Sequence, residues 1–142
     1  MGLFDFLKTK DTVPYEKIYE ELSAFTEASL AMPKMNNPFL LDDKSKHSMI
    51  FGYFMGVMDY ITQAYQLNEK DTLKIRTQYI LKNFTDNDIE HAQELLKYCD
   101  EIRETDDGSN YALRGKLAMR KWVAGGPMAA YAPMGLIKIL ND

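Results

Sequence analysis

Cysteine and histidine are scarce in this chain: one Cys, Cys99, and two His, His47 and His91, in 142 residues. A single cysteine closes no internal disulfide, and "ELLKYCDEI" sets Cys99 among apolar helix positions, away from the positive charge that activates a thiol. The expected location is therefore a reducing compartment, the cytoplasm. Two histidines also leave little material for a catalytic triad or a metal cluster. A glycine-rich phosphate loop after a strand, a nucleophile elbow and an HExxH helix are all missing. "TDDGSN" fails as a calcium loop, because counting back from Gly108 puts Arg103 where an oxygen ligand is needed. An enzyme is disfavoured on these grounds, and no metal or other cofactor is expected.

Long apolar runs are missing too. A bilayer span needs about 20 apolar residues. The longest candidate, Met49 to Met58, is closed off by Lys46 and His47 before it and Asp59 after it. The amino-terminal "MGLFDFLKTKD" has an acid inside its apolar part and no small-residue cleavage pattern, which makes a poor secretory signal. An excess of basic residues is absent as well: the formal net charge is -4, so a general nucleic-acid binder is not expected.

Strand-type alternation is nearly absent, whereas apolar residues recur at helical spacing through most of the sequence. The expectation is an all-α fold, a compact single-domain bundle of five to six helices. Its apolar content, 46% hydrophobic with 12% aromatic, is enough for one self-sufficient core. The expected organisation is an amino-terminal segment at 1–13, a helical bundle at 14–124 and a Gly/Pro-interrupted segment at 125–142 with a short helix.

A first helix starts at Pro14, turns Tyr15, Ile18, Tyr19, Leu22 and Phe25 to one face, and ends at "AMPKMNNPF". Asp42 or Asp43 caps a second over about Ser45 to Gln66. Asn68 caps a third, with Asp71 in a variant capping box and Leu73, Thr77, Ile80, Leu81 and Phe84 as its apolar stripe. Thr85 or Asp86 caps a fourth, with Ile89, Ala92, Leu95, Leu96, Cys99 and Ile102 inward. "TDDGSN" is read as a turn, followed by a fifth helix over "YALRGKLAMRKWVA" that stops at Gly125, Gly126 and Pro127.

The most unusual stretch is "FGYFMGVMDY", residues 51 to 60. On a helix, Gly52, Gly56, Asp59 and Gln63 share one strip, and Ile50, Phe54, Val57, Ile61 and Ala64 another. So few directions stay polar that this helix is expected at the centre of the bundle. Each glycine costs about 1 kcal/mol against alanine in a helix interior, so a pair four apart calls for a compensating reason. The bland reason is helix packing, with the first or fifth helix pressed against Gly52 and Gly56. The sharper one is a groove floored by the glycines, with Asp59 as its polar end and Tyr53, Tyr60 and Gln63 at its edge. Asp59 needs a partner, with Arg76, Arg114 or a tyrosine hydroxyl as candidates.

Charge is unevenly spread. Residues 86 to 107 hold nine acids against Lys97 and Arg103, whereas residues 108 to 138 hold Arg114, Lys116, Arg120, Lys121 and Lys138 and no acid. Mutual neutralisation of the fourth and fifth helices is the plain reading. The functional reading is that Glu90, Glu94 and Glu101 on the acidic face steer a basic protein partner. The basic segment with Trp122 is alternatively a surface for phosphate or anionic lipid. Apolar residues crowd both ends, Leu3, Phe4, Phe6 and Leu7 at one and Leu136, Ile137, Ile139 and Leu140 at the other. If exposed, these would serve homo-oligomerisation, partner binding or peripheral membrane contact.

The leading expectation is a non-enzymatic protein of adaptor, regulatory or immunity type working through protein–protein contacts. The alternative is a small-ligand or metal-dependent enzyme with its site around Asp59, Tyr60, Gln63 and His91.

Overall fold

A computed structural model describes residues 13–141 of the chain. The expectations placed on Leu3, Phe4, Phe6 and Leu7 lie outside the described residues. Six α-helices follow one another among the described residues: α1 Tyr15–Asn36, α2 His47–Ala64, α3 Glu69–Phe84, α4 Ile89–Arg103, α5 Asp106–Ala124 and α6 Gly135–Leu140. Short 3-10 turns at Leu40–Asp42, Lys44–Lys46 and Ala129–Met134 join them, and no strand occurs among the described residues. The all-α bundle is thus the observed architecture.

Side-chain capping explains three of the α-helix starts, those of α3, α4 and α5, and that of the 3-10 turn before α2. Asp43 accepts from the Ser45 amide ahead of α2, and Asn68 accepts from the Asp71 amide at 2.8 Å to begin α3. The start of α4 lies slightly later than expected. Asp88 accepts the His91 amide at 3.1 Å, while Asp86 and Asn87 take left-handed φ of 49° and 65° in the connecting turn. A larger correction concerns "TDDGSN". It is the first turn of α5: Thr105 caps it through the Gly108 amide at 2.9 Å, and Asp106 and Asp107 face the positive end of the helix dipole. α5 stops where Gly125 and Gly126 adopt φ of 72° and 78°. α1 runs on through Pro33 into its last turn.

α2 is the central pillar. Every residue from Ile50 to Met58 is buried, as is Ile61, and α5, α4, α1 and α6 pack around it. Each Ile, Val, Phe or Met side chain among them contributes roughly 1.5–3 kcal/mol on removal from water. Phe51 and Phe54 meet Phe84 of α3 at centroid distances of 5.2 and 5.6 Å, and Tyr79 meets the same ring at 5.7 Å.

Two inward assignments fail. The buried stripe of α3 is Ile75, Tyr79 and Ile80, whereas Leu73 is 59% exposed. The stripe chosen from sequence passed over Tyr79 because tyrosine carries a polar tip. Here the Tyr79 hydroxyl lies 2.6 Å from the Thr26 hydroxyl, so the whole side chain can be buried. Ile89, in the first turn of α4, is 63% exposed because its helix approaches the core only from Ala92 onward. At the carboxyl end, Leu136 and Ile139 of α6 are buried in the common core, with Ile137 and Leu140 partly covered. That apolar run pads the bundle.

Candidate functional site

Four regions bear on function: the glycine strip of α2, the polar end of α2, the acidic face of α4, and the outer face of α5 with the segment that follows it.

The glycine strip is a helix crossing. A Cβ placed on Gly56 would overlap the Ala112 carbonyl of α5, and one placed on Gly115 of α5 would overlap the Tyr53 carbonyl of α2. The two backbones therefore touch, each through a glycine of its own helix. Gly52 is less tightly held, its Cβ position lying 3.1 Å from Cβ of Tyr111. The fifth helix is indeed the one pressed against α2. The strip does not open into a groove: Gly52 and Gly56 are buried, and Tyr53 is a fully buried core residue, not an edge residue. Tyr60 is half-buried and Gln63 exposed. Gly108 and Gly115 went unsingled because a glycine in sequence looks the same whether it sits in a turn or at a crossing.

At the polar end, the Asp59 carboxylate is taken up by the Arg103 guanidinium of α4, none of the partners expected for it. Arg76 of α3 instead reaches Asp100 of α4 at 2.9 Å and lies 3.7 Å from Sδ of Met55. α4 is thereby tied to α2 and α3, and neither of these ion pairs involves a base of α5. Burial holds Arg103 below the ordinary guanidinium pKa. Cys99, one position before Asp100, is buried, and desolvation pushes its thiol up to about 12, so it is no nucleophile at neutral pH. His91 is exposed at the start of α4, well away in sequence from the Asp59 end of α2. Among the described residues, no group of three or more His, Cys, Asp or Glu side chains is arranged to hold a metal ion.

Glu90, Glu94 and Glu101 are all exposed on α4 and form no ion pair among the described residues. The acidic face therefore stands in solvent.

The fourth region was only half visible in sequence. The outer side of α5, the 3-10 turn Ala129–Met134 and α6 enclose an open groove of about 260 Å³. Arg114, Lys121 and Lys138 lie along it, with Leu117, Met128 and Tyr131 between them. Leu117 is 44% exposed, Met128 59% and Tyr131 68%, and Leu113, one turn before Leu117, is 55% exposed. Gly135 lies on the groove floor directly over the Tyr53 hydroxyl, 2.8 Å from where its Cβ would stand. That hydroxyl is buried beside the Ser29 hydroxyl, which offsets part of the desolvation that raises the Tyr53 pKa above its ordinary value. The acid-free run from 108 to 138 was the sequence signal for this region. The exposure of its apolar members was not legible, since Leu117 and Met119 differ only in which way the helix turns them.

No family model matches the chain, and no curated protein or solved structure resembles it at a significant level. No helix among the described residues is long and apolar enough to cross a membrane.

Proposed function

We propose that this is a non-enzymatic helical protein that acts through protein–protein contacts, in an adaptor, regulatory or immunity-type role, with the outer face of α4 meeting a basic partner. The observation that carries this reading is the placement of Glu90, Glu94 and Glu101 in solvent on α4, while Asp100 and Arg103 of the same helix are spent on inward ties to α3 and α2. The ties hold the helix in place and leave Glu90, Glu94 and Glu101 on one outward face around Lys97, a net negative surface of the kind that raises association rate and selects partners of opposite sign. The half-buried Asp59 fits the same picture as an anchor of α4, with its carboxylate already engaged by Arg103.

The test is affinity capture from the native host by the wild-type chain and by the triple variant Glu90→Lys/Glu94→Lys/Glu101→Lys. A basic protein retained by the former and lost by the latter is the expected outcome. Equal capture by both removes α4 from the argument. Circular dichroism should match for the two chains, since all three positions are exposed.

A further inference from the structure

We propose that the face formed by the outer side of α5, the Ala129–Met134 turn and α6 docks on an anionic phospholipid surface. Lys121 and Lys138 would meet headgroup phosphates, and Leu113, Leu117, Met128 and Tyr131 would enter the boundary between headgroups and acyl chains.

Sign, exposure and shape support this occupant together. The whole chain has a formal net charge of -4, so it has no general attraction to a negative surface, and any attraction must come from a local patch. Residues 108 to 138 supply such a patch, with five basic residues and no acid. On α5 the helical spacing sets Leu113, Leu117 and Lys121 one turn apart on the same side, with Arg114 and Arg120 flanking them. Apolar and basic side chains are thus interleaved on one face, the pattern of proteins that lie in the membrane interface.

Tyr131 and Met128 are each more exposed than covered, so they project from the groove rim where an approaching bilayer would receive them. Tyrosine suits that depth because its ring is apolar and its hydroxyl is wet. The acids of α4 lie on a different helix and none of them lines the groove, so they do not cancel the positive charge there. Contact is peripheral, since no helix among the described residues is long and apolar enough to cross a bilayer. This face is separate from the one offered to a protein partner, and either reading survives failure of the other.

The experiment is flotation of the full chain with vesicles of phosphatidylcholine alone and with about one third phosphatidylglycerol, at salt from about 0.05 to about 0.5 M. Binding to the mixed vesicles only, weakening as salt rises, is expected. Lys121→Glu/Lys138→Glu should lower partitioning on the order of a hundredfold or more, at roughly fivefold for each charge unit changed. Met128→Ser/Tyr131→Ser should weaken binding while leaving its salt dependence in place. All four positions are exposed, and unchanged circular dichroism is the check on folding.

No binding to mixed vesicles overturns the proposal. So does binding that both double variants retain, which would put the contact elsewhere on the chain. Release from vesicles by inorganic phosphate at constant ionic strength would identify a soluble-anion site instead, and capture of an acidic amphipathic peptide without vesicle binding would identify a protein-binding groove. Each of these also overturns it.

Discussion

α2 meets its neighbours in two ways, and the difference shows where this protein can tolerate change. Along Gly52 and Gly56 it meets α5 backbone to backbone, in a dry seam where even one methyl group has no room at Gly56. At its far end it meets α4 through the Asp59–Arg103 pair, whose side chains keep 25% and 35% of their exposure. The seam is steric and short-range, so a small change acts in full. The polar tie is partly hydrated, and water replaces much of what it provides. Position in the core therefore rests on small residues, and charge only adjusts the periphery.

Gly56→Ala is the strongest challenge to that contrast. The new methyl would force α2 and α5 apart at Ala112, and a loss of about 3 kcal/mol is expected from the urea midpoint, despite the gain in helix propensity. Wild-type stability would mean that the two backbones do not touch. Gly52→Ala sharpens the comparison because it is the same change one turn earlier. Its methyl would sit 3.1 Å from Cβ of Tyr111, a strain small enough for the propensity gain to offset, so stability within about 1 kcal/mol of wild type is expected. Equal losses at both glycines would show that general crowding along the seam, not one specific contact, sets the cost, since the propensity gain is the same at both.

Asp59→Asn tests the other end. Loss of a half-exposed pair should lower stability by about 0–1 kcal/mol and flatten its salt dependence, as read by melting at low and high ionic strength. A loss as large as that at Gly56 would reverse the ranking.

The smallest effect near neutral pH comes from Cys99. Its folded thiol keeps its proton at a pH where the unfolded chain has begun to release it. Its contribution is therefore intact below the ordinary value of 9.0 and fades as pH rises toward about 12. Thiol labelling of the native chain at pH 8 should follow global unfolding, with the rate rising in Gly56→Ala. Fast labelling independent of denaturant would mean the thiol is accessible in the folded state.

Much of the fold could be read from residue order because the signals were local. Asn68 three residues before Asp71 announced α3, and the consecutive apolar residues around Phe54 announced a helix surrounded by others. The misreadings were also local signals, overruled by neighbours distant in sequence. "TDDGSN" has turn composition, but Thr105 is also an N-cap, and Gly108 sits so close to the Ile102 carbonyl that a side chain there would collide with it. Leu73 and Tyr79 were exchanged in rank because the partner of the Tyr79 hydroxyl, Thr26, is 53 residues away. For the candidate surfaces, the acidic run of α4 was legible from charge alone. The basic groove was legible only as an acid-free segment, because its depth depends on where the chain after Gly126 packs.

By itself, then, the sequence determined that this protein is helical, that α2 lies inside, and that acid and base occupy separate stretches, since periodicity and composition act over one or two turns. Which glycines touch, which arginine answers Asp59, and which leucines face water were decided by tertiary packing. Those outcomes depend on the rotation and approach of whole helices, and contacts between distant residues set both.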